Sequence, residues 1–580
     1  MKKTKIICTL GPATDNDQVL ADMIKAGMDV ARFNFSHGDY DAQSKRLEQL
    51  IRVREAQGVP VATLLDTKGP EIRTGDFEDP NGVVIHKGDT FTLTTKKCLG
   101  DAKHCYVNYP GLVEDVEVGT SILINDGLIA MEVTELRRDE IVCRVTDGGL
   151  LTNKKGVNVP DISLNMPYLS PADMQDLEFG ASHDFDFIAA SFVRTAGDVI
   201  YLRNFCQALG WNDVRIIAKI ENMEGVNNID AIIEEADGIM VARGDMGVEI
   251  PFERIPAIQK MIIRKVYSAG KVVVTATQML ESMITNPRPT RAEITDVANA
   301  IYDGTSAIML SGETAAGKYP VEAVKTMDAI ARRTEENVCC EPPLRKRKKE
   351  KLSITAAVAH AACTTALDVG ADAILTVSQR GLTAQMVSRF RPATTVVALL
   401  LDPQVRRQMA LYWGVEPIMM PYVNSTDELV SRAVESAEAA GLVKRGDLVV
   451  VTAGVPVGVS GTTNMIRIQQ VGGALLNAVG IGSRRASGPL CVCLTPDQVA
   501  EKFRPGDVLV LPYTTNELLP YIRQAAAVIT EESSADCHTA TVGLTLDKPV
   551  IVGAAGATHR LTDGTMVTVD CVRGLVCTMP

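Results

Sequence analysis

The first 340 residues predict a parallel (β/α)₈ barrel, because short apolar segments alternate there with longer helix-patterned segments. The eight strand candidates are residues 5–10, 30–35, 61–66, 185–192, 214–220, 238–242, 272–277 and 307–310. Polar clusters follow nearly every one of them, as a shared ring of loops at one end of a barrel requires. This second observation favours the barrel over its structural competitor, a doubly wound open sheet.

Length and composition limit the class of protein. At 580 residues the chain is too long for one hydrophobic core, so roughly three or four domains are expected. The net charge of −12 argues against general nucleic-acid binding. No run approaches the ~18 apolar residues of a membrane span, and the thirteen scattered cysteines fit a reducing compartment. A cytoplasmic protein without nucleic-acid or membrane partners is expected.

One segment, residues 70–168, breaks the alternation of strands and helices. It contains short β-rich runs, such as "DTFTLTT", "SILINDG" and "IVCRVTDGG", separated by Gly, Asn and Asp turns. A small β domain of β-barrel type is therefore predicted as an insertion after the third barrel strand. It divides the barrel domain into residues 1–69 and 169–340.

Two further domains are predicted beyond the barrel. The stretch "EPPLRKRKKEK", residues 341–351, is either a nucleic-acid- or anion-binding patch or, as we expect, a solvated linker. The βα units that follow it predict an α/β domain over residues 352–472. The Gly- and Ala-rich "VGGALLNAVGIGSRRASGP" is interpreted as a second linker into a last domain, residues 485–580.

Polar side chains follow the second and fifth strands. In "VARFNFSHG", strand alternation puts Arg32, Asn34 and Ser36 on one face, which suits an anion with a cation nearby or an ordinary solvated strand edge. In "IIAKIENMEG", Lys219 and Glu221 lie on the same side. They form either a structural ion pair or a site where an ammonium holds a phosphoryl group or enolate and a carboxylate binds a metal.

The next strands add complementary groups. "GIMVARGDMGVEIP" offers a second metal carboxylate, Asp245, after Gly244, which permits close backbone approach. "VVVTATQMLESM" places Thr277 at a strand end, where it holds a bound acid, relays a proton or caps the next helix. Ser311 and Glu313 follow the eighth strand in a supporting position. Together these groups predict phosphate chemistry on a small carboxylic acid with Mg²⁺.

These motifs resemble the pyruvate kinase family over about residues 1–472. The matching motifs are "RFNFSHG", "LDTKGPEIRTG", "KKGVN", "KIEN", "ARGDMGVEIP", "ATQMLESM", "NPRPTRAEITDVANAI" and "AIMLSGETA", in the family's order. The resemblance implies a TIM barrel, an inserted β lid and an α/β effector domain. It also implies phosphoryl transfer from phosphoenolpyruvate to ADP, giving pyruvate and ATP, with Mg²⁺ (or Mn²⁺) and K⁺ as cofactors and a homotetramer as the assembly.

The resemblance assigns roles to individual residues. The catalytic residues implied are Arg32, Lys219 and Thr277. The substrate-binding residues implied are Arg32, Lys219, Gly244, Asp245 and Thr277. The implied Mg²⁺ ligands are Glu221 and Asp245, and the implied K⁺ ligands are Asn34, Ser36, Asp66 and Thr67. The implied nucleotide-binding residues are Asn34, Phe35, Ser36, His37, Arg73 and Lys155.

Two further expectations come from the same resemblance. Family members that need K⁺ have a glutamate at the position of Glu71, whereas those that do not have a lysine, so K⁺ dependence is expected. In "TVSQRGLTAQM" the family binds a sugar-phosphate or nucleotide activator, which makes Ser378, Arg380 and Thr383 effector candidates. A plain helix-capping turn is the alternative for that loop.

The last domain resembles the mobile phosphohistidine domain of phosphoenolpyruvate-utilising enzymes. His538 falls at the phosphorylated position, but Ser533–Ser534 replace a glycine pair and Cys537 replaces a serine. We expect a structural or regulatory role for it. Two alternatives to an active kinase are a metabolite-binding regulator that lost the chemistry and a histidine phosphotransferase working through His538.

Overall fold

The computed structural model describes residues 2–338, 353–423, 425–455, 463–472, 474–533 and 536–578. The basic stretch 341–351 therefore lies outside the described residues. The chain falls into two units, and the first contains the described part of Met1–Glu350 together with Arg380–Arg391 and Asp402–Pro417. In the described part of the chain, no helix is long and apolar enough to cross a membrane.

Eight parallel strands close into a barrel in the first unit. They are β1 Lys5–Thr9, β2 Val30–Asn34, β3 Ala62–Asp66, β13 Phe187–Ala190, β14 Arg215–Ile220, β15 Gly238–Ala242, β16 Val272–Ala276 and β17 Ala307–Leu310. Their order around the barrel is β1-β17-β16-β15-β14-β13-β3-β2. The predicted fold class is thus confirmed, and the open sheet is wrong. Parallel pairing brings the carboxyl ends of all eight strands to one rim, here called the barrel mouth.

Helices cover the outside of the barrel. They are α1 Asp17–Ala26, α2 Tyr40–Gln57, α4 Pro171–Ser182, α5 Ala196–Ala208, α6 Met223–Asn227, α7 Ile229–Glu235, α8 Arg243–Glu249, α9 Ile255–Ala269, α10 Arg291–Asp303, α11 Gly312–Ala315 and α12 Pro320–Val338. Their ends follow local chemistry: Thr290 and Glu293 form a capping box before α10, and Gly304 ends that helix at φ 98°. The strands are largely buried, β3 and β16 at every residue, because helices cover them.

The inserted domain is a small barrel whose strands pair antiparallel except for β6 (Thr90–Thr94) and β7 (His104–Tyr106), which are parallel. Its elements are β4 Ile72–Arg73, β5 Val83–Ile85, β6 Thr90–Thr94, β7 His104–Tyr106, α3 Leu112–Asp115, β8 Ser121–Ile124, β9 Ile129–Arg137, β10 Glu140–Asp147, β11 Gly149–Leu151 and β12 Gly156–Asn158. Seven strands form a sheet in the order β4-β12-β8-β9-β10-β6-β7. Its edges meet, because the Gly75 amide donates to Tyr106 O (2.8 Å) and the Asn108 amide to Arg73 O (3.1 Å). The closed sheet leaves no exposed edge there.

Helices α14 Leu382–Ser388 and α15 Pro403–Met409 also belong to the first unit. The guanidinium of Arg407 on α15 forms an ion pair with the buried Asp186, whose carboxylate oxygens lie 2.9–3.0 Å from its Nε and Nη2. Asp186 also accepts hydrogen bonds from the amide and hydroxyl of Thr63. This ion pair lies at the amino ends of strands β3 and β13, opposite the barrel mouth.

The second unit begins with an α/β sheet. Its elements are α13 Ile354–Asp368, β18 Ala373–Val377, β19 Thr395–Leu400, α16 Thr426–Ala439, β21 Leu448–Gly454 and β22 Thr463–Gln470, while β20 Val415–Met419 has residues in both units. The order β19-β18-β21-β22 is parallel except for β22, which pairs antiparallel with β21.

The last segment adds a second sheet to this unit. Its elements are β23 Ala474–Asn477, β24 Val479–Ile481, β25 Arg485–Val492, α17 Pro496–Lys502, β26 Val508–Leu511, α18 Leu519–Gln524, β27 Ala527–Thr530, α19 His538–Thr545, β28 Val550–Val552, α20 Ala557–Arg560, β29 Met566–Asp570 and β30 Leu575–Thr578. The strand order is β23-β30-β29-β25-β26-β27-β28-β24.

The interpretation of residues 471–489 as a linker is wrong, because β23 and β24 lie within that stretch and pair with β30 and β28. Its glycine content reflects close packing instead of flexibility. A Cβ on Gly480 would lie 1.8 Å from the carbonyl oxygen of Cys571, so only glycine fits. Glycine composition alone does not separate these two reasons.

Candidate active site

The ends of strands β2 and β3 join at the barrel mouth through an ion pair. Arg32 donates from Nε to Asp66 Oδ2 at 2.6 Å and from Nη1 to Thr9 Oγ1 at 3.0 Å. Both charged side chains are almost completely buried. Because Arg32 is held from two sides, its guanidinium is fixed in direction before any anion binds.

Lys219, near the end of β14, is the centre of the cluster. Its Nζ lies 2.7 Å from Ser191 Oγ, 3.2 Å from Asp66 Oδ1 and 2.9 Å from Glu221 Oε1. The ammonium is therefore surrounded by oxygen atoms from three strand ends. The two carboxylates are 1% exposed and Lys219 is 8% exposed.

Charge pairing sets the protonation of this cluster. Burial alone would raise the pKa of Asp66, but the charges of Arg32 and Lys219 hold it below its ordinary value. Burial opposes the charge on Lys219, yet Asp66, Glu221 and Asp245 together raise its pKa. Burying these four charged side chains costs more free energy than burying well-packed apolar side chains in their place would. That cost favours a functional site over the purely structural ion pair that the sequence also allowed.

Glu221 has the chemistry of a metal ligand. Its Oε2 accepts a hydrogen bond from the Phe192 amide at 2.6 Å, and its buried Oε1 faces the Lys219 ammonium at 2.9 Å. Burial raises the pKa of Glu221 to about 8. A divalent cation would favour the ionised form of this buried carboxylate, so the residue fits Mg²⁺.

Asp245 supplies the second carboxylate from the first turn of α8. Its side chain is exposed and lines a cleft between the inserted domain and the barrel. Across the described ranges of the chain, no three His, Cys, Asp or Glu residues are grouped so that they could hold a metal ion. A Mg²⁺ bound here would complete its shell with oxygens of substrate and water, which is usual for this ion.

A strained loop follows β16. Thr277 and Gln278 have φ values of 65° and 55°, which are rare for residues with a β-carbon, above all a branched one. Thr277 Oγ1 donates to Ala276 O (2.7 Å) and accepts from the Gly244 amide (2.9 Å). The N-cap alternative for Thr277 is wrong, since the next helical turn begins at Glu281 after Leu280.

The strain is maintained by Arg243. Its guanidinium donates to Thr277 O at 2.6 Å and to Ala276 O at 3.3 Å, and it pairs with Asp296 at 2.6 Å. On the adjacent strand end, Glu313 accepts from the amides of Leu280 and Ser311 (3.0 and 2.7 Å). Both acidic and basic side chains thus brace the loop that positions Thr277.

The residues suggested as K⁺ ligands lie on neighbouring strands. Asn34 of β2 pairs in register with Asp66 of β3. Asn34 Oδ1 accepts from the Ser36 amide (3.1 Å), and the carbonyl of Thr67 accepts from Ser191 Oγ (2.7 Å). The donor set of carboxylate, amide, hydroxyl and carbonyl oxygens suits a hard cation.

The nucleotide candidates separate into two groups. Arg73 and Lys155 line a cleft of about 570 Å³ between the inserted domain and the barrel, together with Asp245. Arg73 is paired with Glu71 at 2.7 Å, and Glu71 lines the same cleft. The segment from Asn34 to His37, with Phe35 and Ser36, forms the turn after β2 and does not line this cleft.

The effector candidates follow β18. Ser378 is partly buried, Arg380 has an exposed side chain, and Thr383 is buried in the first turn of α14. The carbonyl of Arg380 accepts a hydrogen bond from Arg215, the first residue of β14 (2.9 Å). Gly381 precedes the helix at φ 75° and makes no side-chain cap.

His538 begins helix α19 of the last sheet. Its Nδ1 lies 2.8 Å from Thr514 Oγ1, and its Nε2 lies 3.0 Å from Asn516 Oδ1. Cys537 acts as the N-cap, with its sulfur accepting from the Ala540 amide. Ser534, one of the two serines noted in the sequence, lies outside the described residues.

Sequence reasoning missed three residues of the site: Ser191, Arg243 and Thr9. Each is the last residue of a strand or follows one directly, the same signal that identified Lys219 and Asp66. Position alone would have placed them at the barrel mouth, but it assigns no role to a residue as common after a strand as serine. Their contacts to Lys219, Thr277 and Arg32 are what the structure adds.

Comparison with known proteins decides the family. Residues 1–324 match the family described as "Pyruvate kinase, barrel domain" and residues 356–469 that described as "Pyruvate kinase, alpha/beta domain". The chain belongs to the pyruvate kinase family. Residues 503–574 also match the family "PEP-utilising enzyme, mobile domain".

Relatives named pyruvate kinase support the assignment to this family over nearly the full chain. The protein of Geobacillus stearothermophilus is 48% identical, with 98% of this chain and 97% of the relative covered. That of Bacillus licheniformis is 46% identical, with 99% of each covered. That of Clostridium acetobutylicum is 49% identical over 81% of this chain and 100% of its own length. A crystal structure of a pyruvate kinase from Cryptosporidium parvum has a TM-score of 0.76 at 38% identity, covering 81% and 96%.

Proposed function

We propose that this chain transfers the phosphoryl group of phosphoenolpyruvate to ADP, giving pyruvate and ATP, the final step of glycolysis. The observation that carries this proposal is the buried ammonium of Lys219, within 3.2 Å of Asp66, Ser191 and Glu221 at the barrel mouth. Membership of the pyruvate kinase family supports it. A regulator without catalysis would have no use for so costly a buried charge cluster.

The proposed chemistry depends on fixed charges. A migrating phosphoryl group spreads negative charge over its oxygens, so transfer needs positioning and positive charge more than covalent help. Arg32 binds the phosphate of the substrate, and Lys219 stabilises both the phosphoryl group in transit and the enolate oxygen left behind. Both charges are already oriented by hydrogen bonds, so little reorganisation accompanies the reaction.

The remaining residues hold the two ends of the substrates. Gly244, Asp245 and Thr277 line the site of the substrate carboxylate, which takes over the hydrogen bond from the Gly244 amide that Thr277 Oγ1 otherwise accepts. Thr277 with water delivers a proton to the enolate carbon. Arg73 and Lys155 approach the nucleotide phosphates from the lid. Their position in the cleft between the lid and the barrel supports this role. Closure of the lid excludes water, which would compete with ADP as the acceptor.

The proposed mechanism uses one divalent and one monovalent cation. Mg²⁺ would be held by Glu221 and Asp245, and K⁺ by Asn34, Ser36, Asp66 and the carbonyl of Thr67. Bound there, the cations supply positive charge next to the transferring phosphate. The buried carboxylate of Glu221, whose pKa burial raises, and the oxygen-only ligand set near Asp66 support these assignments.

Regulation, assembly and location are proposed from the sequence. A sugar-phosphate or nucleotide activator is proposed at Ser378, Arg380 and Thr383, with a homotetramer as the assembly and the cytoplasm as the location. A structural or regulatory role is proposed for the last domain with His538.

The test of the function is pyruvate formation from phosphoenolpyruvate and ADP with Mg²⁺, with and without K⁺. We expect K⁺-stimulated turnover by the wild type and a loss of at least about 10²–10³-fold in kcat for Lys219→Met, because one preorganised charge is removed from the transition state. Lys265→Met is the matched control, since Lys265 is an exposed lysine paired with Asp230 on the outside of the barrel.

Three results are informative. No turnover by the wild type under any activator would contradict the proposed reaction. Near-normal turnover by Lys219→Met would remove Lys219 from the central role but leave the reaction standing. An equal loss in Lys265→Met would show that the assay responds to general loss of lysine charge rather than to the site.

A further inference from the structure

The hydroxyl of Ser191 connects two parts of the site that the sequence treats separately. Ser191 follows β13 and is 1% exposed. Its Oγ lies 2.7 Å from Lys219 Nζ and 2.7 Å from the carbonyl oxygen of Thr67. One atom therefore touches both the lysine at the centre of the cluster and a carbonyl in the candidate K⁺ site.

The direction of these hydrogen bonds follows from the groups involved. An ammonium can only donate, so Ser191 Oγ accepts from Lys219. A backbone carbonyl can only accept, so the single hydroxyl proton of Ser191 goes to Thr67 O. Asp66 Oδ1, the other acceptor near this hydroxyl, is farther away at 3.4 Å. The chain Lys219 to Ser191 to Thr67 thus runs in one direction.

The backbone strengthens this connection. The Ser191 amide donates to Thr67 Oγ1 at 3.1 Å, and the Thr67 amide donates to Ala189 O at 3.1 Å. Thr67 is consequently held at its amide, its hydroxyl and its carbonyl by the end of β13. A carbonyl oxygen has two lone pairs, so accepting from Ser191 leaves one free for a cation.

We propose that Ser191 is a positioning residue that couples the monovalent-cation site to Lys219. It orients the free lone pair of Thr67 O toward the cation and fixes the Lys219 ammonium with the same hydroxyl. This inference rests on the proposed function and extends it. Loss of the hydroxyl should weaken K⁺ activation and phosphoryl transfer together, although Ser191 contacts neither substrate in the proposed mechanism.

The test is Ser191→Ala with Ser388→Ala as the matched control. Ser388 is also buried, and its Oγ donates to the carbonyl of Trp413 at 2.7 Å, on helix α14 away from the barrel mouth. Both variants lose one buried serine hydroxyl bonded to a carbonyl.

We expect Ser191→Ala to lower kcat about 10–100-fold, the effect of losing a hydrogen bond to a charged group. The K⁺ concentration for half-activation should rise, and both quantities should stay near wild type in Ser388→Ala.

A second measurement does not depend on activity. The melting temperature of each protein is compared in KCl and in tetramethylammonium chloride at equal ionic strength, because a cation bound only to the folded state raises it. We expect a K⁺-dependent rise in the wild type and in Ser388→Ala and a smaller rise in Ser191→Ala. The melting temperature without K⁺ should fall in both variants, and more in Ser191→Ala, which also loses an acceptor for the Lys219 ammonium.

The outcomes separate the possible errors. If Ser191→Ala behaves like Ser388→Ala in kcat and K⁺ dependence, Ser191 has only a structural role and the inference is wrong. It is equally wrong if only one of the two quantities changes, since the hydroxyl would then serve one site and not couple them. If the wild type forms no pyruvate, the proposed function fails, while the K⁺-dependent melting still reports whether Ser191 supports a cation site.

Discussion

At the scale of the residue, neighbouring charges give similar side chains different properties. Asp66 and Glu221 are both almost fully buried and both contact Lys219. Asp66 has a second cation, Arg32, and its pKa is lowered, whereas Glu221 has only a backbone amide as a further donor, and burial raises its pKa to about 8. Glu221 is therefore the carboxylate that would gain most from an added metal charge.

A second residue-scale question is the K⁺ requirement. Glu71→Lys places a tethered ammonium near the site, so we expect the dependence of kcat on K⁺ to fall from strong activation to less than about 2-fold, since a fixed charge replaces a mobile one. Initial rates are measured over a KCl series at constant ionic strength with tetramethylammonium chloride.

The control for this change must account for Arg73, which is bonded to Glu71 at 2.7 Å. Glu71→Gln keeps a side-chain oxygen for that bond and adds no cation, so it should remain K⁺-dependent. Loss of K⁺ dependence in Glu71→Gln as well would show that removing the Glu71 carboxylate, and not adding an ammonium, abolishes it. Unchanged dependence in Glu71→Lys would contradict the prediction outright.

Some residues of the site could be predicted from the sequence and others could not. Arg32, Lys219 and Asp66 were predictable because an ionisable side chain at the end of an otherwise apolar strand is typical of the barrel mouth, where the functional groups of this fold lie. Ser191 was not, because a serine after a strand is common and its role depends on which atoms approach it across 124 residues of sequence, from Thr67. The left-handed φ of Thr277 could not be predicted either, because the contact that stabilises it comes from Arg243 and not from the local sequence.

At the scale of the element, the inserted domain and helix α8 are joined by one hydrogen bond. Asn158 at the end of β12 donates to Glu249 Oε1 at 3.0 Å, and α8 also carries Asp245. Burial raises the pKa of Glu249 from 4.5 to about 7, although the Asn158 bond favours the ionised form. The folded protein therefore binds a proton here that the unfolded chain releases at lower pH.

This shift predicts a pH dependence of stability. Because the folded pKa is raised, stability falls as pH rises from about 4.5 through about 7, and the loss is complete above that range. Glu249→Gln keeps the bond from Asn158 and cannot ionise. Between pH 5 and pH 8 its free energy of unfolding, relative to that of the wild type, should therefore rise by up to about 3 kcal/mol. Melting temperatures at these two pH values measure the difference.

A charge change on the same surface is the control. Glu253→Gln removes an exposed carboxylate just after α8 and should show the same pH dependence as the wild type. If Glu249→Gln also follows the wild type, Glu249 is ionised in the folded protein at neutral pH and burial does not govern it.

Elements also show where sequence patterns mislead. The barrel strands were predictable because their apolar runs are bounded by polar strand ends. Strands β23 and β24 were not, because a glycine demanded by close packing, such as Gly480 against Cys571 O, is identical in sequence to a glycine in a linker. The information that separates them lies in β30 and β28, nearly 100 residues away in the first case.

At the scale of the whole molecule, the last sheet is integrated into the second unit and is not an independent appendage. Arg573, between β29 and β30, donates to Asp372 Oδ2 (2.8 Å), to Gly370 O (3.0 Å) and to Gly446 O (3.1 Å). Its side chain is only 14% exposed. These acceptors belong to two loops of the α/β sheet, so one guanidinium fastens the last sheet to it.

Replacing this arginine tests whether the two sheets unfold together. Arg573→Ala removes three hydrogen bonds, one of them to a charged partner, and should destabilise their association by about 2–3 kcal/mol. We expect an additional early transition in calorimetric melting and faster proteolysis of the last sheet, while kcat at saturating substrates stays at the wild-type value because Lys219 and its partners lie in the first unit. Arg432→Ala is the control: Arg432 pairs with Glu435 on the exposed face of α16, and such pairs contribute little.

If both variants melt alike, packing elsewhere between the sheets holds them, and Arg573 is a surface contact without structural consequence. If kcat falls in Arg573→Ala alone, the last sheet influences the barrel mouth from another unit, and the last domain acts as a regulator of catalysis and not only as a stabiliser.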